Sequence, residues 1–139
     1  MRGALVRALA VVGVVLLVGC VVYPNVTDIG GTRIRPERAR LVREADGAAL
    51  YVELHSTGKF GDVLTGARAD VARAAALVDA RGAAAKKLAI PGTAIVTFKP
   101  GGPFVRLSGL TRQLVAGESV IVTLVMEKTG NLGVVSVVE

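Results

Sequence analysis

Aromatic side chains and cysteine are scarce in this chain. Its 139 residues include no tryptophan, two tyrosines, three phenylalanines and one cysteine, Cys20. Proteins that bind single-stranded nucleic acid stack bases on exposed aromatic rings, so this class is disfavoured. With a single cysteine, no disulfide can form within the chain. The length suits one domain, because two would each be too small to bury a good core.

Groups that carry out catalysis are also missing. The chain has one histidine, His55, and besides Met1 one methionine, Met126. The sequence contains no Ser-His-Asp set, cysteine nucleophile, metal-ligand cluster or phosphate-binding loop. The glycine-rich run 100–103 lacks the Lys and Ser/Thr of a phosphate loop, so it predicts a turn. We therefore expect a protein that is not an enzyme and that needs no catalytic cofactor.

The first twenty residues have the pattern of an export signal. Arg2 and Arg7 supply positive charge, and residues 8–18 form an apolar run broken only by Gly13. A run of about eleven residues is too short to span a ~30 Å hydrocarbon core, so it predicts a secretory signal peptide and not a transmembrane helix. The run ends in Leu17-Val18-Gly19-Cys20, which resembles a bacterial lipobox.

The lipobox resemblance implies that Cys20 is acylated and that the chain is cleaved before it. Residues 1–19 are then a signal peptide, residues 20–31 a lipid-anchored tether and residues 32–139 the folded domain. Two or more acyl chains anchor a protein stably, because each buried CH₂ contributes roughly 0.8 kcal/mol. We expect a protein on a membrane, facing the periplasm or the cell exterior. The alternative is an ordinary signal peptide cleaved nearby, with Cys20 incidental.

Strict alternation of side-chain character predicts several strands. Period-two patterns occupy residues 50–55, 94–99, 120–127 and 134–138, and glycine-containing turns separate them. Thr129-Gly130-Asn131 lies between the last two patterns and predicts a hairpin. Short strands with regular turns favour an all-β protein with a sandwich or a closed antiparallel sheet.

Residues 70–89 fit this all-β pattern poorly. The segment is rich in alanine, and Asp70 is placed like a helix N-cap, so local propensity favours a helix. Gly82 would interrupt that helix, and tertiary context often overrides propensity. Either a strand or one short helix within residues 70–88 is therefore expected.

The segment from Ile90 to Gly102 reads Ile-Pro-Gly-Thr-Ala-Ile-Val-Thr-Phe-Lys-Pro-Gly-Gly. It resembles the Ile-Pro … Leu-Lys-Pro-Gly-Gly signature of the PCu(A)C periplasmic copper chaperones. Residues 107–118, 127–130 and 51–58 are similar to that family as well, so the resemblance covers about residues 34–139. It implies a cupredoxin-like β-sandwich with Greek-key connections, exported to the periplasm or the cell surface.

The resemblance also implies a copper site made of His and Met, which suit the soft Cu(I) ion. The family places His-x-Met directly after Pro-Gly-Gly-x, where this chain has Phe104 and Arg106, and a further His and Met between about residues 72 and 88, where this chain has neither. Arginine has no lone pair to offer, and its charge repels a metal ion. His55 and Met126 are the remaining metal candidates; the alternatives are a polar surface residue and a core residue.

The densest basic cluster follows the tether and consists of Arg33, Arg35, Arg38, Arg40 and Arg43. A nearby anchor would hold these side chains against anionic headgroups, where each charge contributes on the order of 1 kcal/mol. The alternative is a solvated strand face. Two functions stay open: copper handling at the envelope by descent, or a metal-free envelope module that binds a protein or lipid partner. Neither involves nucleic acid.

Overall fold

The structure is a computed structural model that describes residues 28–29 and 31–139. Within these residues the protein has eleven strands and no helix. Accordingly, no helix in the described part is long and apolar enough to cross a membrane. The strands are β1 (Asp28–Ile29), β2 (Thr32–Glu44), β3 (Gly47–Ser56), β4 (Asp62–Ala69), β5 (Ala72–Val78), β6 (Ala84–Ala85), β7 (Leu88–Ile90), β8 (Ala94–Thr97), β9 (Phe104–Leu110), β10 (Ser119–Met126) and β11 (Gly130–Val138).

Hydrogen bonds join most of these strands into one path, in the order β6-β5-β9-β3-β2-β11-β10-β4-β7. β8 pairs with β3, and β1 pairs with β2, so the sheet reaches into the segment 20–31 that the sequence predicts as a tether. Every pairing of named strands is antiparallel except that of β2 with β11. Inward side chains from both halves of this path belong to one hydrophobic core.

That core contains the apolar residues of the alternating patterns. Leu50 and Leu54 from one half and Val122 and Leu124 from the other are fully buried members of one cluster. The predicted all-β sandwich is therefore confirmed. The predicted hairpin is confirmed too: β10 and β11 pair antiparallel up to Met126 opposite Gly130.

The alanine-rich segment is extended, so the expected short helix within residues 70–88 is wrong and the strand alternative is right. β5 pairs with β9 from Ala72 opposite Leu110 to Val78 opposite Phe104. This pairing buries Leu77 and satisfies the backbone across the sheet, which outweighs the local preference of alanine for a helix. Asp70 lies in the turn before β5 and caps no helix among the described residues.

β2 contains a β-bulge that controls which side chains face outward. Glu37 lies opposite Glu53, and the next register pair is Arg40 opposite Tyr51, so β2 has one residue more than β3 between these pairs. Arg38 lies in the bulge with φ of 52°. A bulge re-aims the side chains that follow it. As a result the outward residues of β3 face outward residues of β2 on both sides of the bulge.

Candidate functional site

A group of three potential metal ligands lies on the outer face of β2 and β3. Glu37 is directly opposite Glu53 in the register, and His55 is two residues further along β3 on the same face. His55 alternates with buried Leu54, as its position in the sequence pattern predicts. Its side chain is nonetheless only 19% exposed, because the two glutamates flank it. We call these three residues the Glu–Glu–His cluster.

The donor atoms of this cluster converge. His55 Nε2 lies 3.3 Å from Oε2 of Glu37 and 3.3 Å from Oε2 of Glu53. Two carboxylates directly across a strand pair repel each other, so the arrangement needs positive charge nearby. Arg35 supplies it at 2.6 Å from Glu37, and Arg38 at 3.0 Å from Glu53.

The environment of Glu53 favours its charged form. The hydrogen bond with His55 lowers the pKa of Glu53 below its ordinary value, against the smaller opposing effect of burial, and Arg38 lowers it further. A carboxylate and an imidazole are therefore held together near neutral pH. Such a cluster of two carboxylates and an imidazole can ligate a cation.

A row of side chains in contact with one another crosses β2, β3 and β9 on the same outer side. The guanidinium of Arg40 lies 5.1 Å from the centroid of the Tyr51 ring. The Tyr51 and Phe104 rings are 5.9 Å apart and inclined at 53°. Arg106 then lies 5.2 Å from the centroid of Phe104. We call these four residues the Arg–Tyr–Phe–Arg ladder; cation–π and aromatic contacts link each member to the next.

Phe104 and Arg106, which occupy the His-x-Met positions of the resemblance, thus both belong to this ladder. On β5, the residues opposite Phe104 and Arg106 are Val78 and Ala76. These four side chains carry no thioether and no imidazole. Phe104 offers an aromatic ring and Arg106 a positive charge, so this surface can bind a partner by ring contacts and by charge.

Met126 lies apart from the outer face. Its side chain is 3% exposed and belongs to the core cluster. It is on β10, which β2 and β11 separate from the strand of His55. The structure therefore does not bring His55 and Met126 together, and Met126 is the core residue that the sequence allowed.

The five predicted arginines all lie on β2, and several form ion pairs or hydrogen bonds within the protein. Besides the pairs of Arg35 and Arg38, Arg40 lies 3.2 Å from a carboxylate oxygen of Glu139. Arg43 donates hydrogen bonds to the backbone oxygens of Glu139 and Leu114. The positive charge of this strand is therefore partly balanced within the domain. Cys20, the predicted site of acylation, lies outside the described residues.

One further surface feature was not predicted from the sequence. Phe60 is 50% exposed, and the amino groups of Lys59 and Lys128 lie 5.4 and 5.9 Å from the centroid of its ring. Phe60 donates its backbone N–H to the oxygen of Gly31, so this group lies where the chain enters the domain. Lys128 is distant in sequence, and no local pattern signals the contact. We call these three residues the Phe60 cluster.

Solved structures with a similar fold include PCuAC domains. The apo PCuAC domain from PmoF1 has a TM-score of 0.71 and 25% identity, covering 83% of this chain and 98% of that domain. The copper-bound PCuAC domain from PmoF2 has a TM-score of 0.69 and 25% identity, covering 84% and 98%. The Cu(I) form of DR1885 from Deinococcus radiodurans has a TM-score of 0.65 and 24% identity, covering 83% and 80%. The fold is thus a cupredoxin-like sandwich of the PCuAC type, and the predicted resemblance is confirmed.

The family of the chain follows from its sequence. Residues 29–138 match the family model described as "Putative lipoprotein LpqE-like". The match covers most of the chain, which therefore belongs to the LpqE-like family. No curated protein sequence matches the chain.

Proposed function

We propose that this protein is a lipid-anchored binding module of the cell envelope, which contacts a partner protein through the Arg–Tyr–Phe–Arg ladder and does not carry Cu(I) at the PCuAC position. The contact of Phe104 with both the Tyr51 ring and the guanidinium of Arg106 is the observation that carries the proposal. The proposed organisation is a signal peptide in residues 1–19, a tether on acylated Cys20 in residues 20–31, and the binding domain in residues 32–139.

The donor set at the PCuAC position does not fit cuprous ion. Cu(I) is soft and prefers thioether, thiolate and imidazole ligands. Phe104 and Val78 offer no ligand atom, and Arg106 offers a fixed positive charge without a lone pair. The remaining methionine, Met126, is in the core. The remaining histidine, His55, lies between two carboxylates, which are harder ligands than Cu(I) prefers.

The ladder has the composition of a protein-binding surface. Tyrosine and arginine are enriched among the residues that dominate binding energy in protein interfaces, because they combine apolar contact area with directional polar groups. Arg106 is exposed, and the rings of Tyr51 and Phe104 are partly exposed. Arg106, which is exposed at one end of the ladder, favours a partner that presents a carboxylate beside an apolar or aromatic side chain. Arg40 at the other end is already paired with Glu139.

A Cu(I) competition titration of the mature protein tests the copper part of the proposal. A chromophoric Cu(I) chelator at micromolar concentration should retain all the copper. Tight stoichiometric transfer of Cu(I) to the protein would instead support the second candidate function, copper handling by descent, which the similarity to a copper-bound PCuAC domain favours.

The membrane orientation is part of the same proposal. The segment from Cys20 to Gly31 spans at most roughly 35–40 Å when fully extended. A lipid on Cys20 would therefore hold the end of the domain that carries the Phe60 cluster near the membrane. An exposed aromatic ring flanked by lysines suits the headgroup region of an anionic membrane. Of the five arginines proposed to meet the membrane surface, Arg33 and Arg35 lie in the first part of β2, at this same end.

Anchoring itself has a direct test. Intact-mass measurement of protein extracted from membranes should show a chain that begins at Cys20 and carries acyl groups. The Cys20→Ser variant should lose this mass increment. An unmodified chain cleaved at another position would contradict the anchor and leave the argument about the ladder untouched.

A further inference from the structure

We propose that the Glu–Glu–His cluster binds a divalent transition-metal ion, Zn²⁺ or Cu²⁺, on the outer face of β2 and β3. This site is distinct from the PCuAC copper position, whose matching positions in this chain are on β9 and between about residues 72 and 88. Its ligands are one oxygen each from Glu37 and Glu53 and Nε2 of His55. The inference goes beyond the proposed function and does not depend on the lipid anchor.

The spacing of the three donor atoms fits a metal coordination shell. All three lie within 4.8 Å of one another. His55 Nε2 is 3.3 Å from each carboxylate oxygen. In a tetrahedral zinc site with ligand bonds of about 2.0–2.1 Å, neighbouring ligand atoms are about 3.3–3.4 Å apart. An ion can therefore enter among the three atoms with small side-chain adjustments.

The chemistry of the donors selects the kind of ion. Imidazole and carboxylate suit Zn²⁺ and Cu²⁺, whereas Cu(I) prefers softer ligands. The two carboxylates also balance the double positive charge of the ion. Three protein ligands leave one coordination position for water or for a group from a partner, as in zinc sites with three protein ligands.

The neighbouring arginines have different relations to this site. Arg35 contacts Oε1 of Glu37, so the other oxygen, Oε2, remains directed at His55. Arg35 is thus a positioning residue of the kind that orients metal ligands. Arg38, by contrast, contacts both oxygens of Glu53, including the one near His55. Its side chain is 78% exposed, so it can turn into solvent at small cost when an ion binds.

The backbone already holds the ligands in place. Glu37 and Glu53 are a register pair of hydrogen-bonded strands, and β8 pairs with the other edge of β3 and places Ile95 opposite His55. Ligands on paired strands are held more precisely than ligands on loops. Binding therefore requires rotation of side chains and no rearrangement of the fold.

Isothermal titration of the full-length chain in detergent with Zn²⁺ tests the proposal. One ion should bind per chain, and Glu53→Gln and His55→Ala should each weaken binding by at least about tenfold. Glu44→Gln, at an exposed position on β2, is the matched control and should leave binding unchanged. Cys20→Ser should also leave it unchanged, which excludes the single thiol as the ligand.

The Arg38→Ala variant distinguishes most sharply between a metal-binding site and a cluster whose residues only form ion pairs with one another. Removing the competing cation should tighten Zn²⁺ binding roughly two- to fivefold, as expected for loss of an exposed ion pair. With Cu²⁺, electron paramagnetic resonance should detect one coordinated imidazole nitrogen, and His55→Ala should abolish that signal. Absence of Zn²⁺ binding, or binding that survives both Glu53→Gln and His55→Ala in folded protein, would overturn the proposal.

Discussion

Asp62 on β4 binds Thr129 in the turn between β10 and β11 through two hydrogen bonds. Oδ2 of Asp62 accepts the backbone N–H of Thr129 at 2.8 Å and its hydroxyl at 2.6 Å. Oδ1 accepts the backbone N–H groups of Lys128 at 2.8 Å and of Val63 at 2.7 Å. Asp62 is 4% exposed, so these four donors replace the water that it loses on folding. One carboxylate therefore fastens the hairpin turn to β4.

Replacing Asp62 with alanine should destabilise the protein strongly. The turn donors would lose a charged acceptor, and leaving partly buried donors unsatisfied should lower the free energy of unfolding by about 2–4 kcal/mol. Urea denaturation followed by circular dichroism measures this change. Asp70→Ala, at an exposed position, should stay within about 0.5 kcal/mol of the wild type. Equal effects of the two substitutions would contradict the assigned role of Asp62.

The same carboxylate should make stability depend on pH in the acidic range. Burial raises the pKa of Asp62, but the hydrogen bonds from Thr129, Lys128 and Val63 outweigh it and hold the pKa below its ordinary value. The resulting stabilisation is complete above the pKa of an unfolded aspartate and is lost as the pH falls through the lower folded pKa. Unfolding free energies measured between pH 7 and pH 3 should therefore decline less for Asp62→Asn than for the wild type. Parallel profiles would argue against this linkage.

Gly47 should tolerate no side chain. A Cβ atom at this position would overlap the backbone oxygen of Leu107 on the paired strand β9. Gly47→Ala should therefore cost about 1–3 kcal/mol, because a backbone atom has to move. Gly66→Ala is the matched control: its Cβ would find no atom closer than 4.0 Å, and it should be neutral or slightly stabilising. Thermal unfolding should give a lower midpoint temperature for Gly47→Ala and an unchanged or slightly higher one for Gly66→Ala. Equal midpoints for the two variants would contradict the assigned role of Gly47.

The double substitution Phe104→His and Arg106→Met should create affinity for Cu(I). It removes the positive charge and puts two soft ligands on one face of β9, while the facing positions Val78 and Ala76 still provide none. We expect measurable Cu(I) binding by competition titration, yet at least about tenfold weaker than that of a PCuAC domain with its full ligand set, measured in parallel. If the wild type and the double variant hold copper equally, the proposed loss of the site is wrong.

Phe60→Trp tests the orientation at the membrane. The chain has no tryptophan, so the variant has a single fluorescent reporter of this kind. For the lipidated protein, emission should shift to shorter wavelength on vesicles containing phosphatidylglycerol, relative to phosphatidylcholine alone, because lysines attract anionic headgroups. Val115→Trp is the control, because Val115 is exposed and lies at the other end of the domain. Gly117, two residues later, donates its backbone N–H to the oxygen of Val138 at the end of β11. An equal shift at both positions would contradict the orientation.

Much of the fold could be predicted because apolar and other side chains alternate along β3, β8, β10 and β11. This alternation is visible in the sequence of each strand by itself. The strand β5 could not be predicted, because its extended form depends on pairing with β9, and alanine alone favours a helix. Local propensity contains no information about such a partner.

The candidate sites were less predictable than the fold. The outward direction of His55 follows from its alternation with Leu54, but its contact with Glu37 depends on the register between β2 and β3. Phe104 and Arg106 were found only through the family resemblance. Their contacts in the ladder with Tyr51 and Arg40 join three strands, and no spacing within one strand indicates these contacts.

The bulge in β2 has a consequence for how this strand can change in length. Ile34 and Leu41 are both buried although seven positions separate them, an odd number that would put them on opposite sides of an uninterrupted strand. The extra residue beside Arg38 corrects this parity. Deleting one residue there would leave six positions between Ile34 and Leu41, an even number that keeps both on the buried side of a regular strand. Removing two residues would instead turn half of the strand inside out, exposing leucine or burying arginine.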